Sequence, residues 1–132
     1  MSQTERIKGV LSPVVTPFNA DLSPDPDRFV AQCEWLVSQN CGLAVFGTNS
    51  EANSLSVNER IALLDALLAA DVDPKRMMPG TGCCALTDTV RLTEHAVKVQ
   101  ARDERLDTVD ARAGDVRDST FESWRIHFFL LI

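Results

Sequence analysis

The chain of 132 residues contains no tyrosine and only two histidines. No stretch approaches the roughly 20 apolar residues of a transmembrane helix, and no signal-type apolar core follows the N-terminus. Lysine and arginine are not clustered, and the net charge is −6, which argues against a surface for nucleic acid or an anionic membrane. We therefore expect a cytoplasmic protein that binds small molecules or other protein chains.

The four cysteines form no recognisable metal or disulfide framework. They contain no Cys-x-x-Cys pair and have no histidine partner at zinc spacing, and the adjacent Cys83 and Cys84 are awkward for an ordinary disulfide. We predict that they are small buried hydrophobic residues in a reducing compartment, and we expect neither a metal nor a cofactor.

The first third of the chain predicts a strand followed by a helix. The β-branched run over residues 9–16 predicts a strand with a bulge or irregularity at Pro13, because proline removes one ladder hydrogen bond. Asp25 as a cap and Pro26 at the first helical position then predict a helix that ends near Gln39.

The pattern then repeats twice. Residues 43–46 predict a short buried strand, and Ser56 with Glu59 forms a capping box that opens a second helix. Residues 77–79 predict a third strand, and a third helix is expected to start near Thr87. The region therefore predicts three βα units of an α/β fold.

The predicted strand ends at Thr16, Phe46 and Gly80 are 30 and 34 residues apart, which is the period of a barrel or a doubly wound sheet. An eight-stranded barrel takes roughly 250 residues, about twice this length. From residue 102 to 122, eleven of 21 residues are charged, which does not suit a buried fourth strand. We therefore predict a domain over residues 1–101 and an atypical tail over 102–132, such as a frameshifted or prematurely ended reading frame would give.

Three loops are expected to gather where parallel strands end, which is where α/β proteins bind ligands. In the loop after the second strand, Thr48 and Asn49 can offer backbone N–H groups, a hydroxyl and an amide to an anion; the alternative is a simple turn. Glu51 is interpreted as a brace for its own loop, with general base as the alternative. The sequence shows no nucleophile that His95 or His127 could activate, so we assign neither histidine a functional role.

Three linked motifs carry a family resemblance over about residues 7–101: Gly-Val-Leu-Ser-Pro-Val-Val-Thr-Pro-Phe, then Gly-Thr-Asn-Ser-Glu with Leu-Ser and Glu-Arg, then Pro-Gly-Thr-Gly. They resemble the dihydrodipicolinate synthase/N-acetylneuraminate lyase family. The resemblance implies a (β/α)8 TIM barrel, usually a homotetramer, that condenses or cleaves pyruvate-type α-keto acids as a class I aldolase. The fold class is thus predicted as α/β, a truncated barrel of about three βα units.

The resemblance also implies site residues. In the family a Gly-Thr-Thr-Gly-Glu-type loop grips the carboxylate of the keto acid, a role that carries over to Thr48 and to Asn49; Thr16 and Gly80 complete the predicted substrate-binding set. Two positions depart from the family loop: Asn49 replaces a hydroxyl residue, and Ser50 replaces a glycine. The side chain of Ser50 is expected to crowd the loop.

The resemblance implies a Schiff-base lysine on the sixth strand and tyrosines that relay protons. This chain has no tyrosine, and its three lysines, Lys8, Lys75 and Lys98, are expected at the end of the strands opposite the ligand loops. No catalytic residue is assigned. The sequence predicts the N-terminal fragment of a family lyase or synthase, inactive alone; the alternatives are a non-catalytic module that binds a keto acid or docks on an intact barrel, and a chain with no selected function.

Overall fold

Strands and helices alternate along the chain. The computed structural model describes residues 9–106, and it describes side chains for residues 9–100. The strands and α-helices of this part are β1 (Leu11–Pro13), α1 (Pro26–Ser38), β2 (Gly42–Ala44), α2 (Val57–Ala69) and α3 (Leu86–Leu106). The predictions for His127 and for the tail beyond residue 106 lie outside the described residues.

The strands are parallel, as predicted for βα units. β1 pairs with β2 in the register Leu11↔Gly42, Ser12↔Leu43 and Pro13↔Ala44. The segment predicted as a third strand lies on the other side of β2, where it forms one parallel bridge, Leu43↔Met77. Two further backbone hydrogen bonds extend this pairing: Met78 N–H donates to Leu43 O at 2.7 Å, and Gly80 N–H donates to Val45 O at 2.8 Å. The described fold is therefore α/β, with β2 in the middle of a short parallel array.

Of the bulge or irregularity predicted at Pro13, there is no bulge, because the register advances one residue at a time on both strands, but β1 ends at Pro13 and not near Thr16. Gly42 N–H donates to Val10 O, and Val14 N–H donates to Ala44 O. In a parallel strand the backbone N–H and C=O groups of alternate residues point to the same neighbouring strand. The backbone groups of Val10 and Val14 therefore point to β2, while those of Pro13 point to the opposite edge. The missing N–H of proline therefore costs no bond to β2.

The predicted helix starts of α1 and α2 are confirmed. Asp25 caps α1, and its side chain accepts a hydrogen bond from Arg28 N–H at 3.0 Å. At α2, Ser56 N–H donates to Glu59 Oε2 (2.7 Å) and Glu59 N–H donates to Ser56 Oγ (3.2 Å), which is the predicted capping box. Sequence-local caps fix where both helices begin.

The core lies between the parallel array and the three helices. Its largest fully buried side chains are Phe29, Leu43, Leu63, Leu67 and Met77. In the part of α3 whose side chains are described, the buried positions are Leu92, Ala96 and Val99, whereas Val90 is 48% exposed. No helix in the described range is long and apolar enough to cross a membrane.

Cys33 is the only cysteine that matches the buried prediction. It is fully buried in α1, and burial in apolar surroundings raises the pKa of its thiol to about 12. Cys41 and Cys83 are half-buried and Cys84 is exposed, so the prediction that all four are buried is wrong. The reason is position: the last three lie in loops at strand or helix ends, not on a core-facing helix stripe.

Candidate functional site

The loop that follows β2 turns sharply away from the sheet at Phe46. Its backbone takes a left-handed conformation (φ 60°), which is uncommon for a bulky residue. Its buried ring stacks on Phe29 with centroids 5.8 Å apart, so core packing holds the unusual backbone in place. The chain then forms two short 3₁₀ turns, Thr48–Ser50 and Ala52–Ser54, which meet at a second left-handed residue, Glu51 (φ 55°). We call residues 47–54 the carboxyl-edge loop.

Thr16, at the end of the first predicted strand, holds the carboxyl-edge loop against β1. Its backbone N–H donates to Glu51 Oε2 at 2.7 Å, and its hydroxyl donates to the backbone oxygen of Ser50 at 2.8 Å. Thr16 is 5% exposed, so these bonds lie away from solvent. The contacts give Glu51 the bracing role that the sequence favoured over a general base, and both donors of Thr16 are engaged in the same brace.

Gly80 joins the third loop to the carboxyl-edge loop. A β-carbon at this position would lie 2.3 Å from the backbone oxygen of Phe46 and 3.3 Å from the nitrogen of Gly47. Only glycine allows the two backbones to approach this closely. The structure therefore places Gly80 beside the start of the carboxyl-edge loop, and the first reason for a glycine there is backbone packing.

Ser50 does not crowd the carboxyl-edge loop, contrary to expectation. It is fully buried, and its hydroxyl donates to the backbone oxygen of Ala44 at 3.3 Å. Its φ is not positive, so this position does not need the conformational freedom of glycine. The residue in the left-handed region is its neighbour Glu51. The departure from the family pattern thus adds a bond between the loop and β2.

Arg60, on the first turns of α2, is a site residue that the sequence reasoning missed. It is 4% exposed, and its guanidinium donates to Gly82 O at 2.9 Å and to Ala52 O in a short hydrogen bond. Its Nε atom is buried and has no partner among the described residues. A signal was present in the sequence: Arg60 shares the helical spacing of the buried Leu63, Leu64 and Leu67, so it falls on the core-facing stripe.

Thr48 and Asn49 occupy the exposed top of the carboxyl-edge loop. Neither side chain makes a hydrogen bond to another residue in the range 9–100. Ser50, Glu51 and Arg60 hold the loop from below, which leaves the Thr48 hydroxyl and the Asn49 amide available to a ligand. The structure brings the loop bearing these two residues together with Thr16 and Gly80 at one edge of the parallel array.

The lysines of the described range lie towards the other end of the strands. Lys75 sits in the 3₁₀ turn Pro74–Arg76, immediately before Met77 begins its pairing with β2. Gln100 Nε2 donates to Met77 O at 3.3 Å, which places the neighbouring turn of α3, with Lys98, near the same end. Lys8 lies outside the described residues.

His95 lies on α3, away from the carboxyl-edge loop. Its Nε2 is 2.9 Å from Asp65 Oδ1 on α2, and together with Lys98 the pair lines a shallow groove between the two helices. This pairing joins two helices on the outside of the fold. Within residues 9–106 no group of three or more His, Cys, Asp or Glu side chains could hold a metal ion.

The relatives found by comparison with known proteins include a lyase and several synthases. An uncharacterized DapA-like lyase of Chloroflexus aurantiacus is 35% identical over 92 residues, covering 68% of this chain and 30% of the relative. The 4-hydroxy-tetrahydrodipicolinate synthase of Rhizobium meliloti is 33% identical over 95 residues, covering 71% and 32%. That of Bartonella bacilliformis is 30% identical over 96 residues, covering 72% and 33%.

The chain spans about a third of the length of these curated relatives. Residues 6–102 match the Dihydrodipicolinate synthetase family, so the match includes β1, all three loops of the site and nearly all of α3. The family resemblance drawn from the three sequence motifs is confirmed by this match. The chain belongs to the Dihydrodipicolinate synthetase family and corresponds to the N-terminal part of its lyases.

Proposed function

We propose that this chain forms the carboxylate-binding part of an α-keto acid site in a pyruvate-type lyase or synthase. The observation that carries the proposal is the carboxyl-edge loop, which is braced from below and leaves Thr48 and Asn49 exposed at its top. A hydroxyl and an amide N–H both donate to carboxylate oxygens. The names of the relatives, a lyase and 4-hydroxy-tetrahydrodipicolinate synthases, support this class of chemistry.

In this proposal Thr48 and Asn49 touch the ligand, and Thr16 and Gly80 shape the pocket beside it. Thr16 keeps the loop seated on β1, and Gly80 allows the third loop to approach it. The same proposal takes the described elements as the first three βα units of a (β/α)8 barrel, with the site at the carboxyl ends of its strands. A longer chain of this type would form the homo-oligomer that the family resemblance implies.

We further propose that these 132 residues do not form a Schiff base. Class I aldolase chemistry needs a lysine amine that attacks the ketone carbon beside the bound carboxylate, with water as the leaving group. Lys75 and Lys98 lie towards the opposite end of the strands from the loop, and the chain has no tyrosine to relay a proton. In this proposal the site orients a keto acid, and no lysine of the described residues is placed to act on its carbonyl.

Borohydride trapping tests the inactivity directly. The full chain is incubated with pyruvate and sodium borohydride, and its intact mass is measured; a family member with the strand-six lysine serves as the positive control. We expect no adduct on this chain. A stable pyruvyl adduct on any of its lysines would overturn the proposal of inactivity.

The binding site is tested separately by calorimetry of the chain with pyruvate. If no binding is detected, the proposal of a binding site is overturned.

A docking role is the second candidate, and the open edge of β1 favours it. Within the described range no strand pairs with the edge that Pro13 faces, and Val15, two residues further along the chain, is 46% exposed. Unpaired strand edges with exposed apolar residues favour association with another chain. Mixing this chain with a full-length family member and measuring co-elution tests the role; separate elution at micromolar concentration would contradict it.

A further inference from the structure

Arg60 is a buried cation that contacts the two ligand-side loops at once. One terminal nitrogen donates to Ala52 O in the carboxyl-edge loop, and the other donates to Gly82 O, which follows the third strand segment, at 2.9 Å. These two loops are 30 residues apart in sequence, and both follow the carboxyl ends of parallel segments. One side chain on α2 therefore fixes their separation.

Packing alone does not account for an arginine at this position. The side chain is 4% exposed, its Nε has no partner, and no carboxylate of the described residues pairs with it. A buried charge without a counterion and a buried donor without an acceptor both lower stability. A methionine would fill a similar volume without either cost, so the arginine is explained by its two carbonyl contacts and by its charge.

We infer that Arg60 is a positioning residue for the proposed carboxylate site: it holds the carboxyl-edge loop and the Gly80–Cys83 loop at the spacing that an α-keto acid needs. This inference rests on the proposed function. Arg60 acts through Ala52 and Gly82 and does not itself touch the ligand. Its unpaired positive charge beneath the loops also favours an anion above them, because charges interact strongly where water is excluded.

Three variants of the full chain separate these contributions. Arg60→Met removes both the contacts and the charge, and Arg60→Lys keeps the charge with a single donor group. Arg91→Met is the matched control, because Arg91 on α3 also bonds to α2, donating to Asn58 Oδ1 at 2.7 Å, but its side chain is exposed and makes no hydrogen bond to either loop. Circular dichroism is recorded first to establish that each variant is folded.

The first readout is pyruvate affinity by calorimetry. We expect Arg60→Met to bind about tenfold more weakly than the parent chain, Arg60→Lys to recover part of this loss, and Arg91→Met to bind as the parent does. Partial recovery by lysine separates positioning of the ligand loops from a general loss of packing. Equal affinity of the parent and Arg60→Met would overturn the inference while leaving the proposed function intact.

The second readout needs no ligand. Amide hydrogen exchange over residues 47–54 and 80–83 reports whether Arg60 ties the loops together. We expect Arg60→Met to accelerate exchange in both loops by about the same factor, on the order of tenfold, and millimolar guanidinium ion to reverse part of the change. Unchanged exchange, or acceleration in one loop only, would overturn the inference.

These readouts remain decisive if one arm fails. If Arg60→Met does not fold, Arg60→Lys takes its place, with faster exchange in both loops as the expected result and unchanged exchange as the contrary one. If the parent chain binds no pyruvate, the proposed function fails, and hydrogen exchange alone decides whether Arg60 couples the loops. The two failures are thus distinguishable.

Discussion

The backbone N–H of Thr16 donates to the Glu51 carboxylate at 2.7 Å, although the two residues are 35 positions apart. This bond joins the segment after β1 to the loop after β2. It also occupies the one carboxylate in the carboxyl-edge loop that could have served as a general base. The relationship explains how a loop with two exposed polar residues at its top keeps a fixed shape in a fold with short strands.

Removal of the Glu51 carboxylate should loosen this junction. We expect Glu51→Ala to lower the free energy of unfolding by about 1–3 kcal/mol, because the buried N–H of Thr16 then has no acceptor. Glu51→Gln should cost less than half as much, since its amide oxygen can still accept. Urea unfolding measures both, with exposed Glu34→Ala as the control. Equal stability of Glu51→Ala and the parent would contradict the bracing role.

Gly80 and Gly47 form a matched pair of glycines in neighbouring loops. A methyl group at Gly80 would meet the Phe46 oxygen at 2.3 Å, whereas one at Gly47 (φ −87°) would meet nothing within 4 Å. We expect Gly80→Ala to destabilise the chain by about 1–3 kcal/mol, because two backbones must move apart. Gly47→Ala should change stability by about 0.5 kcal/mol or less. Thermal unfolding of the two variants compares them, and equal effects would refute the close approach.

The helix starts could be predicted from the sequence because they depend on local chemistry, and the parallel pairing and the position of the loops could be predicted from the spacing of the repeated strand and helix patterns. Asp25 and Ser56 are caps whose partners lie within three residues, so short-range patterns suffice. The effect of Pro13 could not be predicted, since it depends on which edge of β1 faces β2. The burial of Cys41, Cys83 and Cys84 was misjudged because composition does not report position in a loop.

At the site, the sequence identified the exposed loop but not what holds it. Thr48 and Asn49 could be found from a motif, while the bonds from Ser50 to Ala44 and from Arg60 to Gly82 depend on the path of the folded chain. Ser50 was expected to disturb the loop because related loops carry glycine there. The φ angle of Ser50, which the sequence pattern does not reveal, is not positive, so the serine fits without strain.

Restoring the family glycine at residue 50 should therefore weaken this chain. Ser50→Gly removes the hydrogen bond to Ala44 and adds backbone freedom to the unfolded state without relieving a positive φ. We expect a loss of about 1–2 kcal/mol, and a smaller loss for Ser50→Ala, which leaves backbone freedom nearly unchanged. The urea midpoint measures the difference. A gain in stability with glycine would show that the side chain does crowd the loop.

The capping box of α2 predicts a pH dependence. Hydrogen bonds from the Ser56 backbone N–H and hydroxyl hold the pKa of the Glu59 carboxyl below its ordinary value of 4.5. Its contribution is therefore complete above pH 4.5 and is lost as the pH falls through the lowered folded value. Glu59→Gln should thus differ from the parent chain by a fraction of a kcal/mol near neutrality, and by less as the pH falls. Urea unfolding across this range measures the trend; the same trend in Glu94→Gln, which lacks such a bond, would argue against the cap.

Thr48 is the residue on which the proposed ligand contact depends most directly. Thr48→Val keeps the shape of the side chain but removes the hydroxyl, so we expect pyruvate to bind about tenfold more weakly, as the loss of one hydrogen bond to a charged group implies. Stability should change by about 0.5 kcal/mol or less, because Thr48 is exposed and unbonded within the described range. Thr48→Ser should bind like the parent chain, and Asn53→Ala, an exposed change in the same loop, should leave affinity unchanged. Calorimetry compares the four proteins, and equal binding by Thr48→Val would move the carboxylate contact from the hydroxyl to the backbone N–H groups of the loop.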